Sequence, residues 1–190
     1  DLTSSSSTAN ISDELIQSAI NAGFTQYIVN SRLASRLQKY EDFTLYSTDS
    51  GLDNTIPLFL LTRPYLSSIQ DHLKAMQVKQ PSTFSSSQMT SPLSLPHQPW
   101  GLCVDLSTQE DLAVIEQLLS YRPDLIVCRL LDWKIIPIEN LIARFQTHDC
   151  ALYVDVAEDL SLIPTFFTTL ERGVDGIVIH SSTPSLLTQV

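Results

Sequence analysis

Trp100-Gly-Leu-Cys-Val-Asp-Leu106 is a short apolar run, and Asp124-Leu-Ile-Val-Cys128, Ala151-Leu-Tyr-Val-Asp-Val156 and Gly176-Ile-Val-Ile179 are three more. Their starts, near 101, 125, 151 and 176, recur at about 25 residues. Apolar runs with little polar alternation mark strands of a parallel sheet covered on both faces. Helical stretches fill the intervals. Ser107-Thr-Gln-Glu110 reads as a capping box opening a helix to about Tyr121. Pro137 suits a first helical turn and starts a helix to about Gln146. A third helix runs from about Leu160 to Arg172, where Gly173 stands in place for a left-handed C-terminal cap, and Thr183-Pro184 opens another.

Toward the N-terminus the same rhythm continues less cleanly. Ser12–Ala22 reads as a helix capped by Gly23, and Tyr27–Val29 as a strand. Asn21-Ala-Gly-Phe-Thr-Gln-Tyr-Ile-Val29 echoes Glu171-Arg-Gly-Val-Asp-Gly-Ile-Val-Ile179. A helix over Ser31–Tyr40 and strands at Phe43–Ser47 and Ile56–Leu61 follow. Six or seven such units predict an α/β fold, with repeated β–α units forming a (β/α) barrel-like or partly open parallel sheet. A flat, doubly wound sheet is the alternative. Residues 1–10 read as a flexible Ser/Thr-rich segment, and 11–190 as one catalytic-type domain. The Ser/Pro-rich stretch at 80–99 is too broken to pack as an element and reads as a surface loop or linker. The opening Asp1 in place of Met, and the end at Leu186-Leu187-Thr188-Gln189-Val190 in mid-helix, read as a chain trimmed at both ends.

Composition narrows the function. With 43 % hydrophobic residues the 190-residue chain can bury a sizeable core. Eleven basic residues against 21 acidic ones give a formal charge of −10, which repels phosphate backbones and anionic lipid. Nucleic acid and membrane surface are therefore discounted as partners. A small anionic substrate remains, given basic residues gathered in one place, and nothing bars a homo-oligomer. No apolar run approaches the ~20 residues of a membrane span. Cys103, Cys128 and Cys150 show neither a C-x-x-C pair nor metal-ligand spacing, and read as buried, reduced thiols of a cytoplasmic protein. There is no G-x-G-x-x-G, G-x-S-x-G or H-E-x-x-H, and five glycines in all leave little room for a glycine-rich phosphate loop.

In β–α proteins the chemistry gathers at the carboxyl ends of the strands. Asp105 ends the first of the four runs, Arg129, Asp132 and Lys134 follow the second, Asp155 ends the third and His180 the fourth. Asp105 and Asp155 equally suit capping of helix N-termini, and His180 suits an ordinary loop histidine. Lys134, between Trp133 and Ile135-Ile136, can shed its charge and serve as base or amine nucleophile, or simply snorkel past the indole.

These residues carry a resemblance. Asp132-Trp-Lys-Ile-Ile-Pro-Ile-Glu-Asn-Leu-Ile-Ala143 is similar to the D-W-K-x-I-P-L-E-N-L-I-A signature of archaeal-type (type II) 3-dehydroquinate synthases. Leu170-Glu-Arg-Gly-Val-Asp-Gly-Ile-Val178 resembles that family's L-E-x-G-V-D-G-V-L segment, in the expected order. The likeness runs from about Trp100 to His180. It implies the N-terminal, catalytic portion of an NAD-dependent oxidoreductase. That enzyme oxidatively deaminates 2-amino-3,7-dideoxy-heptulosonate and cyclises the resulting dioxo acid to 3-dehydroquinate, in the shikimate route to aromatic amino acids. Carried over, Lys134 is the catalytic amine or base and Asp132 tunes its charge. Asp105, Arg129, Asp155 and His180 contact substrate, with Arg129 as a partner for its carboxylate. NAD-binding residues are not assigned, and no metal is implied. The family pattern commonly has glutamate where Asp155 stands and an acidic residue where His180 stands, and adds a smaller β-rich C-terminal region that is absent here. A lysine-dependent aldolase or lyase on a β/α barrel, or a degenerate non-catalytic relative, are the alternatives.

Overall fold

The computed structural model describes residues 12–49, 52–61, 69, 71, 99–130, 136–157, 159–169, 173–181 and 183–187. The expected flexible segment at 1–10, residues 80–98 of the expected loop, and Asp132 and Lys134 lie outside them. Among the described residues seven strands follow one another: β1 (Gln26–Val29), β2 (Thr44–Ser47), β3 (Ile56–Leu61), β4 (Gly101–Leu106), β5 (Leu125–Leu130), β6 (Ala151–Ala157) and β7 (Gly176–Ile179). Helices among the described residues include α1 (Asp13–Asn21), α2 (Ser31–Leu37), α3 (Glu110–Leu119), α4 (Ile138–Phe145), α5 (Ile163–Thr168), led by a 3-10 turn at Leu160–Leu162, and α6 (Pro184–Leu187). Sheet order equals chain order and every pair is parallel. A doubly wound sheet reverses direction at a switch point. This one does not, so the barrel-like alternative is the correct one.

The outer face of the sheet is covered by helices. Leu102, Val104, Leu106, Ile126, Cys128, Leu152 and Val154 pack against apolar stripes on α3 and α4. On α4 the stripe is Ile138, Leu141, Ile142 and Phe145, the i, i+3, i+4, i+7 spacing of one helical face. Each such side chain, fully buried, contributes about 1.5–3 kcal/mol.

The inner face shows the shape. Leu58, Cys103, Leu125 and Val127 form one apolar cluster with Ile28, Tyr46, Leu60, Ala151, Tyr153 and Val178. Every strand contributes to it. In a flat sheet β1 and β7 would stand about 29 Å apart, six strand spacings, so the sheet must curl. The Tyr153 hydroxyl on β6 donates to Gln26 Oε1 on β1 at 2.7 Å, across what would be about 24 Å in a flat sheet. Its ring reaches there by lying over β7 at Gly176, where an added Cβ would stand only 2.6–2.8 Å from the ring atoms. Outside, α1 and α6, the first and last helices, come into contact. The result is a curled, partly open barrel, with no ladder joining β1 to β7 among the described residues.

Two local expectations need correcting. Ser107 is not the N-cap that the expected Ser107-to-Glu110 capping box requires; α3 begins at Glu110 behind Gln109, which makes no side-chain cap bond. Asp111, one residue inside the helix, instead accepts the Ser107 and Thr108 amides on Oδ2 at 2.8 Å. The long helix expected at 160–172 is broken into the 3-10 turn and the six-residue α5. Pro164 removes an amide there, the Thr168 and Thr169 hydroxyls bond back to carbonyls at 164 and 165, and Thr169 leaves helical geometry at ψ 124°. Gly173 does adopt the expected left-handed conformation, φ +64°.

Gly176→Ala should destabilise the fold by about 1–3 kcal/mol in urea unfolding, the usual cost of overpacking. In a Tyr153→Ala background the same change should be nearly neutral, because the ring it strikes is gone. Equal losses in both backgrounds would show that the ring does not cross β7 there.

Candidate functional site at the carboxyl rim

Strand parity builds the rim. Cys103, Val127, Tyr153 and Val178 belong to the inner apolar cluster, and side chains two residues on share their face. Those residues are Asp105, Arg129, Asp155 and His180. Register aligns them, with Asp105 beside Arg129 and Arg129 beside Asp155. The four residues expected to contact substrate thus come together as one arc over the carboxyl ends of four successive strands. Asp132 and Lys134, the expected catalytic pair, are outside the described residues; in sequence they fall between the end of β5 and the start of α4.

Two ion pairs organise the arc. Arg129 Nε donates to Asp105 Oδ1 at 2.5 Å, with the arginine side chain 18 % exposed and the aspartate 46 %. Arg129 therefore already serves one carboxylate, and its terminal nitrogens make no further bond among the described residues. His180 Nε2 faces Asp155 Oδ2 at 3.0 Å, and here the aspartate side chain is only 2 % exposed. Its other oxygen accepts the Ala157 amide at 2.8 Å. Burial pushes the Asp155 carboxyl up, but the His180 bond, the Ala157 amide and the positive charge of His180 and Arg129 outweigh it, leaving it below the usual carboxylate value.

The backbone is bent to allow this. The β6–β7 register slips between Asp155 and Ala157, a bulge, and Ala157 sits at φ +52°. A left-handed alanine costs about 1–2 kcal/mol. The bulge brings the Ala157 amide onto Oδ1, and His180 N closes it from the next strand on Ala157 O at 2.7 Å. Such strain is concentrated at sites where side-chain aim matters. Nothing in the sequence around Ala157 announces it, because alanine is an ordinary strand end.

Under the arc lies Cys103. Burial pushes its thiol up to about 12, even with Arg129 pulling the other way, so it packs as a neutral side chain rather than serving as a nucleophile. For a phosphate-bearing cofactor the described glycines are misplaced. Gly23 and Gly173 follow helix ends, while Gly101 and Gly176 begin strands. All four therefore belong to the opposite end of the sheet from the arc, and among the described residues no glycine-rich turn leads from a strand end into a helix. Gln26 and Tyr153, which shape the inner wall, were not singled out as site residues; a tyrosine inside an apolar strand beside a register glycine is the signal that could have marked them.

Because the folded Asp155 value is depressed, its stabilisation is present above the ordinary carboxylate range and is lost as pH falls through the folded value. Asp155→Asn should flatten that acid-side loss in thermal unfolding across pH and cost about 1.5–3 kcal/mol near neutrality, the range for bonds to charged groups. Ala157→Gly should be stabilising by about 0.5–1 kcal/mol, the relieved strain less the added chain entropy. A loss of stability in that variant would mean that the left-handed turn is not strained.

Comparison with known proteins places this geometry. The family model described as the 3-dehydroquinate synthase II N-terminal domain matches residues 2–190. The chain is 30 % identical over 170 residues to the 3-dehydroquinate synthase of Methanothermobacter thermautotrophicus, covering 87 % of this chain and 41 % of that protein. It is 37 % identical over 87 residues to the Methanocorpusculum labreanum 3-dehydroquinate synthase, covering 45 % and 24 %. For the Archaeoglobus fulgidus protein of the same name the figures are 35 % over 83 residues, covering 44 % and 23 %. The chain thus spans well under half the length of these relatives, and no solved structure matches it. With its parallel β–α repeat and the signature at 132–143, the chain belongs to the 3-dehydroquinate synthase II family and carries that family's N-terminal domain.

Proposed function

We propose that the chain is the substrate-holding part of a 3-dehydroquinate synthase of the type II kind. Its reaction would be the NAD-dependent oxidative deamination of 2-amino-3,7-dideoxy-heptulosonate and cyclisation to 3-dehydroquinate. The observation that carries this reading is the family match over residues 2–190. The arc of Asp105, Arg129, Asp155 and His180 supports it, because a hydroxylated, anionic substrate needs acceptors, a guanidinium and a proton carrier on one rim. Three free, buried cysteines fit a reducing compartment, in line with a cytoplasmic enzyme. No helix among the described residues is long and apolar enough to cross a membrane.

Each group has a task in this proposal. Lys134 acts as the amine or base, with Asp132 keeping a charge beside it. Arg129, held by Asp105, offers its terminal nitrogens to the substrate carboxylate, a geometry guanidinium suits. The described residues do not fit NAD. Among the described residues its diphosphate has no glycine-rich turn to lie on. We propose that the dinucleotide is held by residues beyond those described, so that activity belongs to the complete enzyme.

The test uses the full-length gene product and its Lys134→Ala variant, mixed with the amino-heptulosonate and NAD. NADH absorbance and 3-dehydroquinate are both followed. Turnover by the parent, reduced about 10²- to 10⁴-fold in the variant, is the expected result, the usual weight of one acid–base residue. A folded parent that forms neither product contradicts the synthase reading. Borohydride trapping of Lys134 without NADH formation would move it to a lysine-dependent aldolase.

A further inference from the structure

We propose that His180 is the proton carrier of the ring-closing step, working through Nδ1, and that Asp155 is its positioning residue. This inference rests on the synthase reading above and deepens it.

The geometry sets the tautomer. An ionised carboxylate only accepts hydrogen bonds, so the 3.0 Å contact to Asp155 Oδ2 puts the imidazole proton on Nε2. In the neutral ring the lone pair then sits on Nδ1, which has no bonding partner among the described residues. The imidazole is one-third exposed while the aspartate behind it is buried, so Nε2 is anchored on a buried carboxylate and the ring is reachable from solvent. Asp155 cannot rotate away, since Ala157 N–H holds Oδ1 at 2.8 Å. The His180 backbone is tied to the same turn through its amide on Ala157 O. An anchored acceptor, a fixed tautomer of the neutral ring and a second nitrogen without a partner among the described residues are the parts of an acid–base histidine. A histidine that only filled space would need none of them.

The charges around it suit the task. Asp155 stands behind the ring from β6, Arg129 lies beyond it on β5, and Asp105 on β4 holds Arg129. Asp155 stays anionic under these neighbours and favours the imidazolium that forms when Nδ1 takes a proton.

Closing a carbocycle from a dioxo acid needs one base and one acid in turn. Nδ1 takes a proton from the carbon next to one ketone. That C–H electron pair becomes the new C–C bond to the second carbonyl carbon, whose π pair moves onto its oxygen. The resulting alkoxide takes the proton back from Nδ1. One proton goes out and returns, no electron is gained or lost, and no other reactant is needed. A single histidine can do both because the atom that gives the proton and the atom that receives it are brought together by the bond being formed.

The experiment uses the full-length gene product with the amino-heptulosonate and NAD, comparing the parent with His180→Gln, His180→Gly and Asp155→Asn, each checked to be folded at the assay temperature. The expected result is a kcat for 3-dehydroquinate formation about 10²- to 10⁴-fold lower in His180→Gln with KM near that of the parent. Added imidazole should restore part of the rate in His180→Gly and none in the parent. Asp155→Asn should lower kcat less than either. Diethylpyrocarbonate on the parent gives a second route that needs no variant; acylation mapped to His180 should block product formation, and bound substrate should slow it. Parent-like 3-dehydroquinate formation by a folded His180→Gln protein, or by parent acylated at His180, overturns this assignment while leaving the synthase reading intact. A folded parent that turns over no amino-heptulosonate overturns the reading beneath it, and the assignment with it.

Discussion

The contact on which the architecture turns is the Tyr153 ring lying over Gly176 with its hydroxyl on Gln26. One neutral hydrogen bond contributes only about 1 kcal/mol, so it does not hold the sheet closed by itself. The apolar cluster drawn from all seven strands does that, by removing the inner face from water. The tyrosine and glycine decide how far the curl goes. With any side chain at 176 the ring could not pass, and β1 would have to stand off from β6 and β7. Curl also changes what the rim residues can do. On a flat sheet Asp105, Arg129, Asp155 and His180 would be a stripe about 14 Å long, three strand spacings; on a curved one they look toward a common space.

That space is built by parity and by one local distortion. The same alternation that sends Cys103, Val127, Tyr153 and Val178 inward sends the next members of each strand to the mouth. The polar groups cluster because four strands end in register, with little loop geometry involved. The exception is Asp155, whose aim depends on the bulge and on an alanine in left-handed conformation. In a protein with formal charge −10, Arg129 and His180 stand at this rim, each against a carboxylate. Among the described residues Arg129 keeps donors and the neutral His180 ring a lone pair without a partner, which distinguishes a site from a set of internal braces.

Much of this was legible from the residues alone. The four strands from Gly101 onward came through because parallel strands buried on both faces read as apolar runs, and Gly23 and Gly173 both take the left-handed conformation expected of helix ends. The polar residues at the strand ends were visible for the same reason, standing out against uncharged surroundings. The curl was not legible, because Tyr153 and Gln26 are 127 residues apart and their meeting depends on packing across the whole sheet. Asp111 displaced the expected capping box because a short carboxylate one turn position later reaches two amides at once. The pairing of Arg129 with Asp105 follows from register, which periodicity alone does not provide.

The most direct test of the account is a distance between the two ends of the sheet. Cysteines at the exposed positions Glu14 on α1 and Ser185 on α6 can carry spin labels, since Cys103, Cys128 and Cys150 are buried and slow to react. Contact between these helices predicts a single short separation by pulsed electron resonance, within about 20 Å, against the roughly 29 Å or more that six flat strand spacings would require. A narrow distribution at the short distance supports the curled sheet and the rim it creates. A population at the long distance would show an open sheet, and the arc of Asp105, Arg129, Asp155 and His180 would then face no common space.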